Sequence, residues 1–178
     1  MKLYIAASID GYIARSDGDL DWLMKYPIKS ETNYGYDEFY KFIDTVIMGG
    51  RTYRDILNMD VLWPYKDKET YVITRNPIVT NENVHFITEN IIEEISKLRE
   101  ENGKDIWLVG GGQLITMLLS QDMVDEMTIT TIPILLGNGI PLFPDSPIES
   151  QWELQDCTSC KNGVVQVTYK KRTIQKNL

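Results

Sequence analysis

The sequence predicts an α/β domain built on a mainly parallel sheet, with helices on its faces and an antiparallel hairpin at one edge. Three observations lead there. Short apolar runs alternate with segments of helical period for most of the chain. Two of those runs, Val46-Ile47-Met48 and Ile106 to Val109, end in glycine clusters that open helices. Near the C-terminus, two strand-like runs flank Asn162-Gly163, a hairpin turn signal.

The elements follow in order. Leu3 to Ile9 reads as a buried first strand, closed by Asp10-Gly11. Residues 14–35 form a long polar loop containing Gly18, Pro27 and Gly35, with Leu20, Trp22, Leu23, Met24 and Tyr26 as its apolar anchors. A loop of that length in a compact domain usually serves as a lid or a binding loop. Tyr36, Phe39, Tyr40 and Ile43 share one face of a helix. Strands follow over Thr45 to Met48, Tyr71 to Thr74, Val84 to Ile87 and Ile106 to Val109. Helices are expected over residues 51–58, Ile91 to Glu100 and residues 113–120. Val124 to Ile132 alternates polar and apolar, and the closing hairpin spans residues 151–157 and 164–171.

The 178 residues suit one compact domain, 1–178. Apolar content of 43% and charged content of 25% are ordinary soluble usage, so the core needs no staples. No run reaches the roughly 18 apolar residues of a membrane span. The first apolar stretch is broken at Asp10 and does not read as a secretory signal, so a cytoplasmic location is expected. A net charge of −8 argues against nucleic acid and anionic membranes as partners. It leaves room for an anionic cofactor, which a few Arg residues and backbone N–H groups can hold.

Two segments share one design. Val46-Ile47-Met48 runs into Gly49-Gly50-Arg51-Thr52, and Ile106 to Val109 runs into Gly110-Gly111-Gly112-Gln113. A strand, a glycine turn and a helix start aim free N–H groups and the helix dipole at one spot. Two such ends on one sheet edge would grip the two phosphates of a dinucleotide. The plain alternative for each is a tight strand-to-helix turn with no ligand. A branched side chain at Gly111 or Gly112 is expected to block the phosphate and spare the fold. Thr74-Arg75-Asn76-Pro77 leaves a further strand on the same edge. Arg75 and the Thr74 hydroxyl suit a monophosphate, which favours NADPH over NADH. Neither the G-x-G-x-x-G fingerprint nor the Walker A motif is present.

Val46 to Gly49 with Arg51-Thr52-Tyr53, Ile73 to Pro77, and Leu108 to Leu114 resemble the cofactor-binding motifs of dihydrofolate reductase, in the same order and at similar spacing. Ala6-Ala7-Ser8-Ile9-Asp10-Gly11-Tyr12-Ile13-Ala14 is closer to a sister group, the reductase domain of the bifunctional deaminase-reductase of riboflavin biosynthesis and its stand-alone relatives. Val124-Asp125-Glu126 through Pro133 to Phe143 is also similar to that domain. The resemblance implies a dihydrofolate-reductase-like three-layer fold with an eight-stranded sheet, and bound NADPH. By motif, Ala7, Ile13 and Ala14 flank the nicotinamide, and Gly18 lies in the loop that closes over it. Gly49, Arg51 and Thr52 meet the phosphates, Thr74 and Arg75 the adenosine-side phosphate, and Gly110, Gly111, Gly112 and Gln113 the pyrophosphate. Gly50 stands where many relatives carry a basic residue. Asp17, Asp19, Asp21 and Trp22 occupy the region where the riboflavin enzyme has a basic helix and loop for its substrate's ribose phosphate.

The implied activity is NADPH-dependent hydride transfer to a small substrate, as in 5-amino-6-(5-phosphoribosylamino)uracil reductase. The alternatives are dihydrofolate reductase activity and a non-catalytic NADP-binding module. Asp10, directly after the first strand, is the candidate to orient a substrate hydroxyl or, with a raised pKa, to deliver a proton. Its alternative is an Asp-Gly turn residue. Asp37, on the helix before Val46, is the competing carboxylate. His85 reads as a structural or surface residue, and no cluster has metal-ligand spacing. Cys157-Thr158-Ser159-Cys160 falls in a hairpin, not at a helix start, so thiol redox chemistry is not expected. Trp63, Pro64 and Tyr65 line a substrate pocket, form a homodimer contact or cap the core.

Overall fold

The computed structural model describes residues 1–26, 33–59, 61–78, 82–144 and 148–172; Pro27 of the predicted loop lies outside them. The order along the chain is β1 (Lys2–Ser8), β2 (Tyr12–Ala14), α1 (Tyr36–Lys41), β3 (Ile43–Gly49), α2 (Gly50–Asn58), β4 (Glu69–Ile73) and β5 (Val84–Ile87). Then come α3 (Ile91–Glu100), β6 (Asp105–Gly110), α4 (Gly112–Ser120), β7 (Glu126–Ile132), β8 (Ile140–Pro141), β9 (Trp152–Ser159) and β10 (Val165–Lys171).

Eight strands form one sheet in the order β5-β4-β3-β6-β1-β7-β10-β9. The first six in that order run parallel, and β10 and β9 close the edge antiparallel, as the hairpin pattern predicts. The predicted helix over Tyr36 to Ile43 stops earlier, at Lys41. Ile43 is instead buried at the start of β3, where it pairs with Asp105. A two-stranded ribbon of β2 and β8 was not anticipated, because strands of three and two residues carry no readable period.

Helices cover both faces. Ile91, Ile95 and Leu98 of α3, with Leu114, Ile115 and Leu118 of α4, pack on one face against Leu3, Ile47 and Leu108. Tyr36, Phe39 and Tyr40 of α1, with Tyr53, Ile56 and Leu57 of α2, pack on the other against Val46, Met48 and Val72. Each fully buried Leu or Ile contributes about 1.5–3 kcal/mol by leaving water. The α1–α2 face is aromatic: the Tyr4 ring stacks on Phe39 at 4.3 Å, and Trp107 meets Phe39 edge-on at 5.4 Å.

This wiring creates a crevice. From β1 the chain passes through α1, on one face, to β3. From β6 it passes through α4, on the other face, to β7. The strands β1 and β6 are neighbours, so the connections diverge between them, which makes that point a topological switch at the carboxyl edge.

Candidate functional site

The strands part at this switch. The β1–β6 ladder registers at Lys2–Trp107 and Leu3–Leu108, whereas β1–β7 runs on from Lys2–Glu126 to Ser8–Ile132. Beyond Leu3 the β1–β6 pairing ends, and Ile5 of β1 meets Gly110 through its side chain, 3.7 Å from the place of a Cβ there. Ala7 is 3% exposed, with its side chain in the core, so it offers the crevice only backbone. Ala14 is buried in β2, where its carbonyl lies so close to Gly139 that a Cβ there would sit 2.3 Å from it. Ile13 packs against the core next to it.

The two glycine junctions lie side by side. A Cβ on Gly49 would stand 3.8 Å from both the Gly110 carbonyl oxygen and the Gly111 nitrogen. Neither α2 nor α4 has a side-chain cap, so the first-turn N–H groups of both helices remain available. Thr52 is close as well, with its hydroxyl 3.5 Å from the place of a Cβ on Gly111, and Gln113 is exposed on the first turn of α4. The Gly110–Gly111 peptide is cis.

Not every glycine here serves a ligand. A Cβ on Gly112 would lie 2.4 Å from the Pro141 carbonyl oxygen and 2.9 Å from Pro144. Gly112 therefore lets α4 pack under residues 141–144, and the expectation that a side chain there spares the fold is corrected. Gly50 is similar, since its Cβ would lie 2.5 Å from the Thr74 hydroxyl oxygen. Thr74 follows β4, with its hydroxyl accepting the Asn76 N–H at 3.2 Å, and Arg75 beside it is exposed.

Gly18 has φ +102°, and the place of its Cβ lies 3.1 Å from an Nη of Arg51. The loop after β2 thus reaches across to α2. Arg51 also approaches Asp55, one turn on, at 3.8 Å. The loop is braced internally, because Arg15 donates two hydrogen bonds to Asp21, at 2.5 and 3.1 Å. Trp22 is fully buried against Ile132 and Val164, and its indole N–H has no hydrogen-bond partner among the described residues.

Between this loop and α2 is a cavity of about 380 Å³. Its polar lining includes Asp19, Asp21 and Asp55, of which Asp21 pairs with Arg15 and Asp55 lies 3.8 Å from Arg51; among the described residues no Lys or Arg lines it directly. The hydrogen bonds from Arg15 hold Asp21 below the usual carboxylate range.

The two candidate carboxylates are placed differently. Asp10 accepts the Ser8 hydroxyl at 2.6 Å, the Leu136 N–H at 3.1 Å and the Gly137 N–H at 2.8 Å. The Ser8 hydrogen bond, reinforced by those two amides, lowers its pKa to about 2. That is opposite to the raised value proton delivery needs, and it favours the turn reading: Gly11, at φ +79°, closes the turn by donating to the Ser8 carbonyl. Asp37 is exposed in the first turn of α1, accepts the Asn33 amide at 2.9 Å and lies outside the cavity lining.

The family model of the RibD C-terminal domain matches residues 2–166. The chain belongs to that family. It is 41% identical over 154 residues to the Bacillus subtilis protein YwjB, covering 86% of this chain and 87% of that one. Among solved structures it is similar to a Shewanella sp. PV-4 protein whose name assigns it to riboflavin biosynthesis. That likeness has a TM-score of 0.85, 30% identity and coverage of 97% and 98% of the two chains. Dihydrofolate reductase from Enterococcus faecalis, solved with NADP(H), has a TM-score of 0.67 at 20% identity, covering 97% and 96%, and shares the fold.

Other sequence candidates fall outside the crevice of this RibD-type domain. His85 is exposed on β5, 2.7 Å from Glu69, as a surface residue. Cys157 is exposed on β9, opposite Val167, and Cys160 packs at the edge of the Trp22 cluster. Trp63 and Tyr65 are core: they meet edge-on at 5.3 Å, and Tyr65 meets Trp107 at 5.5 Å. Among the described residues no three metal-ligating side chains are grouped, and no helix is long and apolar enough to cross a membrane. Sequence reasoning missed Asp55, which lines the cavity, and Arg54, beside Gly50. The available signal was helical spacing, since residues 51 and 55, like 50 and 54, share a face.

Proposed function

We propose that this RibD-type domain is an NADPH-dependent reductase acting on a small, unphosphorylated heteroaromatic or sugar-like substrate. The observation that carries the reading is the pair of uncapped glycine junctions that lie side by side at the carboxyl edge, where the β1–β6 pairing ends. Bound NADPH supplies the hydride, so the protein's task is to bind, orient and exclude water. Backbone at Ala7, with Ile13 and Ala14, suits a nicotinamide ring. Gly49, Arg51, Thr52 and Gly110 to Gln113 suit the pyrophosphate, and Thr74 with Arg75 an adenosine-side phosphate. The donor set fits the group: backbone N–H groups and guanidinium at one edge of a chain whose net charge is −8.

The acidic side chains of Asp19, Asp21 and Asp55, two of them beside Arg15 and Arg51, leave no unpaired cation among the described residues of the cavity lining for a phosphoribosyl group, which supports a substrate other than that of the riboflavin enzyme. Asp10 accepts from Ser8, Leu136 and Gly137 and holds the β1 turn to residues 136–137, which supports a turn role over that of a proton donor. The test is consumption of NADPH over matched neutral and phosphorylated substrates. Oxidation with neutral compounds only is expected. NADPH that binds and is never consumed, across a broad panel, would favour the non-catalytic module. Preference for a phosphorylated substrate would contradict the substrate class.

A further inference from the structure

We infer that Arg54 is a second cation of the adenosine-side phosphate site and sets the preference for NADPH over NADH; this rests on the reductase reading above. The argument starts at Gly50. The point beside it where a Cβ would stand lies 2.5 Å from the Thr74 hydroxyl oxygen and 3.3 Å from an Nη of Arg54. The Arg54 guanidinium and the Thr74 hydroxyl therefore share one small volume at the end of β4, next to Arg75. A side chain at position 50 would have to displace the Thr74 side chain, whereas one turn along α2 a cation reaches this place without doing so. Residue 54 is that position.

Arg54 and Arg51 have separate surroundings. Arg51 faces the loop after β2, against Gly18 and Asp55. Arg54 is exposed and, like Arg75, has no ion-pair partner among the described residues. Two unpaired guanidinium groups beside a hydroxyl make a forked donor set suited to a phosphate monoester. A ribose hydroxyl in the same place offers no charge to pair with them. The discrimination is thus electrostatic and belongs to residues 54 and 75, whereas Arg51 acts on both cofactors alike.

Calorimetric titration with NADPH and with NADH distinguishes the alternatives for wild type, Arg54→Ala, Arg54→Lys and Arg51→Ala. Arg54→Ala is expected to weaken NADPH roughly ten-fold or more and to leave NADH nearly unchanged, with Arg54→Lys between it and wild type. Arg51→Ala is expected to weaken both cofactors. Unchanged NADH binding by Arg54→Ala shows that the variant folds. If wild type prefers NADPH and Arg54→Ala keeps the full preference, or weakens both cofactors equally, the role of Arg54 is overturned and the reductase reading stands. If wild type shows no preference, or binds neither cofactor, both are overturned.

Discussion

The carboxylate of Asp10 accepts the backbone N–H of Gly137 at 2.8 Å, joining the turn after β1 to the segment after β7. Ser8 completes the arrangement. Its hydroxyl donates to Asp10 and accepts the Tyr12 N–H at 2.9 Å. One short turn thereby fixes two chain segments that frame the crevice.

Asp10→Ala is expected to free the Leu136 and Gly137 amides, which hydrogen exchange will report as faster exchange there with the central strands unchanged. The pH dependence follows from the lowered pKa. The folded state holds the carboxylate charged more strongly than the unfolded chain, so the contribution is fully present above the ordinary aspartate range. It is lost as pH falls from that range toward about 2. Acid unfolding of Asp10→Asn should therefore be shallower than that of wild type between pH about 4 and 2. Identical acid profiles would contradict the assignment.

The glycines of the two junctions should separate by what surrounds them. Gly112→Ala drives a methyl into the Pro141 carbonyl, which is backbone and yields little, so a loss at the upper end of about 1–3 kcal/mol is expected. Gly50→Ala strikes the Thr74 side chain and should cost less within that range. Gly111→Ala meets the Thr52 hydroxyl at an ordinary 3.5 Å and should unfold closest to wild type while weakening cofactor binding. Denaturant midpoints of the three variants give the order directly.

That contrast marks where sequence reading stops. The strands, the two glycine junctions and the closing hairpin were legible because each is a local pattern of period, turn residue or apolar run. The distinction between Gly111 and Gly112 was not, because it depends on Pro141 and Pro144, brought over α4 from beyond β7. The parting of β1 and β6 is likewise a property of pairing register, which no run of residues within β1 encodes. For Asp10 the local Asp-Gly signal was visible, but its partners at residues 136 and 137 were not. Arg54 lay in plain spacing from Gly50, yet its meaning appears only once Thr74 is seen beside that position.

Arg75→Ala should reduce NADPH affinity by roughly ten- to hundred-fold, corresponding to about 1.5–3 kcal/mol for a charge-assisted contact, and should spare NADH. Arg75 is exposed at the end of β4, so a change in thermal stability of no more than about 0.5 kcal/mol is expected beside it. An equal loss for both cofactors would place Arg75 elsewhere on the nucleotide.

Replacing Cys157 and Cys160 by serine together should leave NADPH binding unchanged, with or without reductant. Both lie on the β9–β10 hairpin, at the sheet edge away from the glycine junctions. A thiol-dependent change in cofactor affinity would show that the hairpin communicates with the crevice.

The central claim is that NADPH lies across the switch point, between the end of β1 and the starts of α2 and α4. Amide shift mapping of the nitrogen-labelled protein during titration with NADPH tests it most directly. The account predicts saturable shifts concentrated at Ala7, at Gly49 to Thr52, at Thr74-Arg75 and at Gly110 to Gln113. Saturation of the protein with NADPH that leaves both glycine junctions unshifted would contradict it.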